Sequence, residues 1–135
     1  MGTFASRLAT FSIVAVVGAV GLGAAVTLPQ DRGPVSVDVS GYPPNIQAGY
    51  QLVLKSCGKC HTVARALNTS ATPLFWSHYL GNLQTQRRID LKADEIQKVF
   101  DFLMYDQANR KDKNPKAFYP PLSEDELQRL AQEGR

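Results

Sequence analysis

The sequence contains few of the side chains that bind metals or form covalent links. Among its 135 residues are two cysteines, two histidines and two methionines, one of which is Met1. Its cysteines leave room for one disulfide at most. A closed zinc site would need all four of Cys57, Cys60, His61 and His78, and the adjacent Cys60 and His61 are poorly placed to serve one tetrahedron. A structural zinc site is therefore disfavoured.

The sequence also lacks the patterns on which most enzymes depend. It has no paired carboxylates suited to acid–base catalysis, no nucleophile beside a base and no phosphate-binding loop. We therefore expect that the protein is not an enzyme. The formal net charge is only +3, and the basic tract over residues 110–116 is interrupted by Asp112. A solvated loop explains this tract better than a contact with anionic lipid, and no nucleic-acid partner is expected.

The most informative motif spans residues 57–61, with the sequence Cys-Gly-Lys-Cys-His. Its two thiols lie about one helical turn apart and so face the same way. Such thiols can bond covalently to the two vinyl groups of a haem while the adjoining imidazole binds the iron. The motif predicts one covalently bound haem c, with Cys57 and Cys60 as attachment sites and His61 as an iron ligand.

Two other kinds of site contain cysteines at this spacing. A thioredoxin-like redox pair should follow a buried strand within a strand–helix alternation, and we find no such alternation here. A disulfide in an exported protein is the other alternative. Haem is favoured because histidine follows directly and because about 90 residues of candidate domain make a thin apolar core unless something large is buried in it.

The N-terminal part contains a long apolar run. Residues 8–28 carry no charge, follow Arg7 and precede Pro29. A run of this length can cross a bilayer as one helix. The alternative is a cleaved signal peptide, because the small residues at 23–25 match the sites where a signal peptidase cuts. We expect residues 1–28 to be a retained transmembrane anchor.

A segment rich in chain breakers follows the apolar run. Residues 29–44 show little apolar periodicity and contain Gly33, Pro34, Gly41, Pro43 and Pro44. This composition predicts an extended linker. If fully stretched, it could hold a domain up to about 50 Å from a membrane surface.

Three amphipathic helices are predicted next. Asn45 is a candidate cap for the first helix, which leads into the haem motif. After a loop over residues 62–71, Thr72 and Pro73 open the second helix as a cap and a first-turn proline. A third helix starts near Asp94. The expected apolar faces are, in order, Ile46, Gly49, Tyr50 and Val53; Trp76, Tyr79, Leu80 and Leu83; and Ile96, Val99, Phe100 and Leu103.

Residues 45–105 resemble the small monohaem c-type cytochromes. Gly49 and Tyr50, placed ahead of the motif at 57–61, have the form of the first helix of that family. The resemblance implies an all-α domain around one haem, over residues 45–109, whose last helix crosses the first near Gly49. It also implies haem attachment outside the cytoplasmic membrane, which would make the chain a single-pass protein of the bacterial inner membrane with its haem domain in the periplasm.

The second iron ligand is left open by the sequence. Most members of that family supply a methionine between the haem motif and the last helix, and this chain has none there; Leu83 stands where one branch carries it. His78 is the only strong ligand in that stretch, although helical periodicity points it away from Trp76. We expect His61 and His78 as the iron ligands, with Met104 or an open site as alternatives.

Residues 110–135 form a C-terminal extension that the family domain does not need. Ser123 and Glu126 make a capping box. This signal predicts a short helix through Leu127 and Leu130. We expect a satellite helix that packs on the domain, with a contact to a partner protein as the alternative.

Together these features predict a membrane-anchored cytochrome c that transfers single electrons on the periplasmic side. Its partners would be a membrane-embedded electron-transfer complex and other redox proteins. The chain could swing as a shuttle on residues 29–44 or be a fixed subunit of a respiratory or photosynthetic complex. The subunit role is favoured by the C-terminal extension and by a strip of small residues in the predicted anchor, Ala15, Ala19 and Gly23. An open sixth coordination site would instead indicate a haem-based gas sensor or peroxidase.

Overall fold

The computed structural model describes residues 26–133. Within this range the chain is predominantly helical and has no strand, which confirms the all-α prediction at this level. The expected anchor lies almost entirely outside the described residues, and no helix within them is both long and apolar enough to cross a membrane. The helices are α1 (Pro44–Cys57), α2 (Ala64–Asn68), α3 (Pro73–Thr85), α4 (Ala93–Asp106) and α5 (Glu124–Glu133).

The core forms where α1 packs against α4. Gly49 makes this packing possible, because a Cβ atom there would stand only 2.9 Å from both the carbonyl carbon of Lys98 and the Cβ of Phe102. Tyr50 lies beside this contact, with its ring centroid 5.2 Å from that of Phe102. The close approach at Gly49 agrees with the expected meeting of the first and last helices. The buried apolar residues of α1 and α4 are Ile46, Tyr50, Val53, Val99, Phe102 and Leu103.

Helix α3 begins as the sequence predicts. The Thr72 hydroxyl accepts a hydrogen bond from the backbone N–H of Phe75 at 3.2 Å, and Pro73 occupies the first turn. Trp76 and Leu80 are buried and form the face of α3 that packs on the core. Two of the four residues expected on the apolar face of α3 are therefore in the core, whereas Tyr79 is exposed and Leu83 is half-buried.

Two local predictions differ from the structure. Helix α1 begins at Pro44 without a side-chain cap, so Asn45 lies inside the first turn and does not cap it. Proline has no N–H group. At the first helical position it therefore leaves one fewer unpaired donor for a capping side chain to satisfy. The expected loop over residues 62–71 contains α2, a short helix that the sequence pattern did not indicate.

The segment before α1 is packed against the domain, contrary to the expected free linker. Asp31 forms an ion pair with Arg65 of α2 at 2.5 Å. The Asn68 amide donates to the carbonyl oxygens of Gln30, at 3.3 Å, and Pro34, at 3.0 Å. Gln30 is almost fully buried. These contacts join polar side chains to each other and to main-chain groups. They require no apolar periodicity, so the sequence pattern did not predict them.

The C-terminal extension also returns to the domain. Tyr119 exchanges main-chain hydrogen bonds with the end of α2, donating to the Asn68 carbonyl at 3.2 Å and accepting from Ser70 N–H at 2.8 Å. Helix α5 then starts with the predicted capping box, in which the Glu126 carboxylate accepts from the Ser123 backbone N–H at 2.8 Å. The C-terminal residues thereby reach the same side of the domain as the N-terminal segment.

Candidate cofactor site

A cavity of about 470 Å³ lies between the C-terminal end of α1, the start of α2 and the inner face of α3. This volume is within the range of small-molecule and cofactor sites. Most of its exposed lining is apolar. Cys57, Cys60 and His61 all line it, so the structure brings the three residues of the predicted haem motif to one cavity.

The two thiols are held by the end of a helix and the turn that follows it. Cys57 is the last residue of α1 and is partly buried, whereas Cys60 lies in the turn and is exposed. Burial raises the pKa of the Cys57 thiol to about 11. Reactive redox cysteines have a lowered pKa, because the thiolate is the nucleophile. Cys57 therefore lacks the environment of a thioredoxin-like attacking thiol.

His61 is oriented by its own main chain. Its Nδ1 lies 2.8 Å from the carbonyl oxygen of Thr62. A carbonyl can only accept a hydrogen bond, so Nδ1 is the donor in this contact, and in the neutral imidazole Nε2 then carries no proton. An unprotonated Nε2 whose opposite nitrogen donates to a backbone carbonyl is the usual form of a metal-binding imidazole.

The structure does not bring His78 to the cavity. It is exposed on α3 and is absent from the cavity lining. The reason is helical geometry: Trp76 and Leu80 face the core, and a residue two positions from Trp76 lies on the opposite side of the helix. Met104 is also absent from the lining and packs partly buried against the core. Neither residue is therefore placed as a second iron ligand.

Aromatic side chains of α3 form one wall of the cavity. Phe75 and Tyr79 stack with their ring centroids 5.8 Å apart, and Trp76 contacts both edge-on. The Nε1–H of Trp76 is buried without an acceptor among the described residues. A planar apolar macrocycle would cover this aromatic wall, so the residues present fit a haem.

Several lining residues come from parts of the chain that sequence analysis assigned to the anchor, the linker and the C-terminal extension. Leu28 and Gln30 approach from the N-terminal segment, and Leu122 and Leu127 from the C-terminal extension. Leu127 gave a usable signal, because the Ser123–Glu126 capping box predicts a helix through it. Nothing in the sequence marked Gln30, whose Oε1 is buried without a donor among the described residues.

One charged side chain of the cavity lining, Arg65, forms an ion pair. Arg65 lines the cavity and binds Asp31 through Nε and Nη2, at 2.8 and 2.5 Å. The Arg65 guanidinium holds the pKa of the Asp31 carboxyl below its ordinary value. Arg88, near the far end of α3, also lines the cavity. Among residues 26–133 no three histidine, cysteine or acidic side chains cluster in a way that could hold a metal ion.

Comparison of the chain with protein-family models, with curated proteins and with solved structures gives no match.

Proposed function

We propose that the protein is a c-type cytochrome that transfers single electrons through one haem covalently bound to Cys57 and Cys60. The observation that carries this proposal is that Cys57, Cys60 and His61 all line one largely apolar cavity. The sequence motif and the volume of the cavity support the same conclusion independently. Residues of α3 and of the two terminal segments that line the cavity would complete the haem environment.

The bound haem would supply a metal centre that cycles between two oxidation states. The chain's own contribution is to hold and shield it. His61 offers an oriented imidazole nitrogen, and the aromatic wall of α3 excludes water from one side. Exclusion of water lowers the local dielectric constant, which makes nearby charges more effective in tuning a reduction potential.

We further propose that the protein is anchored in the bacterial inner membrane by residues 8–28, with the haem domain in the periplasm. Its role is that of a fixed subunit of a membrane electron-transfer complex. The packing of residues 26–34 on α2 supports the fixed role, because a free swinging linker would not make the Asp31–Arg65 pair or bury Gln30. Extraction in mild detergent tests this role: the protein should leave the membrane with its complex, and extraction as a lone chain would contradict it.

A second candidate function rests on the composition of the cavity lining. Among the described residues that line it, His61 is the only imidazole and there is no methionine. A sixth coordination site without a side-chain ligand would admit small gases or peroxide, as in a haem-based sensor or peroxidase. Carbon monoxide difference spectra separate the two functions: a rapid and complete spectral shift favours the sensor, and no shift favours electron transfer.

The primary proposal is tested by a redox titration of the purified protein, followed by visible absorption. We expect one reversible one-electron transition. The control is the Cys57→Ser, Cys60→Ser double variant, in which no such transition should remain. A wild-type protein with no visible redox transition would overturn the proposal.

A further inference from the structure

Lys111 is a fully buried lysine next to the cavity. It lies at the end of the π-helical turn Gln107–Lys111 that continues α4, and its side chain is 0% exposed. Its ammonium donates to the carbonyl oxygen of Thr69 at 2.6 Å and stands 6.0 Å from the ring centroid of Trp76. Both Thr69 and Trp76 line the cavity. The ammonium of Lys111 therefore lies directly behind the two lining residues Thr69 and Trp76.

The charge of Lys111 is not neutralised by its neighbours. The nearest carboxylate is Asp106, fully buried, with Oδ2 at 3.7 Å from the Lys111 ammonium. Arg110 already binds both oxygens of Asp106, at 2.8 and 2.7 Å, and the Tyr42 hydroxyl donates to Oδ1 at 3.0 Å. The cluster of Asp106, Arg110 and charged Lys111 therefore carries one excess positive charge. The exposed carboxylate of Asp112 also attracts the Lys111 ammonium, but from a position in contact with solvent.

A buried excess charge is costly and responds strongly to other charges nearby. Loss of solvation lowers the pKa of Lys111 to about 8, against the opposing attraction of Asp106. This value is close enough to neutrality for small changes in the surroundings to alter its protonation. Addition of one negative charge in the cavity would favour the protonated form.

We infer that Lys111 couples proton binding to the redox state of the haem proposed for this cavity. When the site gains one electron from a one-electron donor, Lys111 Nζ takes up a proton from solvent in the pH range where it is otherwise neutral. On oxidation the electron leaves to an acceptor and the proton returns to solvent. Lys111 is a positioning residue in this scheme, since it acts on the potential of the site without touching the reacting iron. The inference rests on the proposed function.

The sign of the effect follows from charge. A protonated Lys111 stabilises the electron-rich state and raises the midpoint potential, so the potential should fall as pH rises through the titration of this lysine. A unit charge about 12 Å away, at an effective dielectric constant of about 20, changes an equilibrium constant by about tenfold. For a one-electron couple this is about 59 mV. At pH values below and above the titration of Lys111, the midpoint potential should not depend on pH.

The test is potentiometric titration of the haem-loaded protein from about pH 6 to pH 10 with small one-electron mediators. We expect the wild-type potential to fall within this range, starting near the pKa of Lys111. Lys111→Met should keep the low midpoint potential over the whole pH range, because the charge is absent. Lys111→Arg should show the high value throughout, because guanidinium does not titrate here. Lys113→Met, at an exposed lysine two residues further on, is the matched control and should behave as wild type.

A wild-type potential that does not change with pH would overturn the inference, even if neither Lys111 variant folds. The same conclusion follows if Lys111→Met keeps the wild-type pH dependence. Both outcomes are distinct from failure of the proposed function, which would appear as protein without covalently bound haem. Thermal unfolding of each variant provides a readout independent of electron transfer, and shows whether a changed potential reflects lost charge or lost structure.

Discussion

Gly49 packs directly against the carbonyl group of Lys98, and this contact sets the closest approach of α1 to α4. Helix α1 carries Cys57 at its end, and α4 carries Leu103, which lines the cavity. The separation of these two helices therefore decides the shape of the cavity as well as the stability of the core.

Gly49→Ala should destabilise the domain by about 1–3 kcal/mol, because its methyl group has no space without a shift of the α4 main chain. Urea denaturation followed by circular dichroism measures the change. The matched control is Gly81→Ala on α3, where a Cβ atom would meet nothing within 4 Å. That variant should be more stable by up to about 1 kcal/mol from helix propensity alone. Equal effects of the two substitutions would contradict the close packing.

Asp31→Asn should loosen the N-terminal segment. The substitution removes the charge that holds Arg65, so residues 26–34 lose their main attachment to α2. Trypsin cleavage after the exposed Arg32 should become faster than in the wild type, while far-ultraviolet circular dichroism stays the same. Asp38→Asn, at an exposed carboxylate without an ion-pair partner among the described residues, is the control and should leave the cleavage rate unaltered. Unchanged cleavage in Asp31→Asn would mean that the segment is held by other contacts.

The Asp31–Arg65 pair also predicts a pH dependence of stability. Hydrogen bonding to Arg65 lowers the pKa of Asp31 below its ordinary value of 3.8. The pair therefore contributes its full stabilisation above that value, and the contribution is lost as pH falls through the lowered pKa. The difference in unfolding free energy between wild type and Asp31→Asn should be constant near neutrality and should shrink below pH 3.8. A difference that grows toward acid pH would exclude this assignment.

The two histidines of the chain should respond differently to substitution. His61→Ala removes the imidazole that faces the cavity, so the reduced absorption spectrum and the midpoint potential should change markedly or the haem should be lost. His78→Ala should leave both unchanged, because His78 is exposed and does not line the cavity. If His78→Ala changes the reduced spectrum, the chain must rearrange to bring that residue to the iron.

The sequence predicted best the features that depend on residues close together in the chain. The apolar face of α1, the Thr72 cap and the Ser123–Glu126 capping box were predicted, because each depends on residues near one another in the chain. The faces of α3 and α4 were predicted in part, since Tyr79 is exposed and the fully buried Phe102 lies outside the predicted face. The three residues of the haem motif were predicted to share one site, and the structure places them at one cavity.

The sequence did not predict the contacts that polar side chains make with residues far away in the chain. The packing of residues 29–34 depends on Asn68 binding main-chain carbonyls and on the Asp31–Arg65 pair, and such contacts leave no pattern in the chain. The burial of Lys111 was invisible for the same reason: it lies within a basic tract that composition alone describes as solvated. His78 was chosen by elimination of other ligands, although its position on the helix already pointed away from the core.

Mass spectrometry of the intact protein, produced in a host that attaches haem c, tests the central claim most directly. The account predicts the mass of the polypeptide plus one haem, together with a Soret absorption band, and loss of both in the Cys57→Ser, Cys60→Ser double variant. A wild-type mass equal to that of the amino acids alone, with no Soret band, would contradict it.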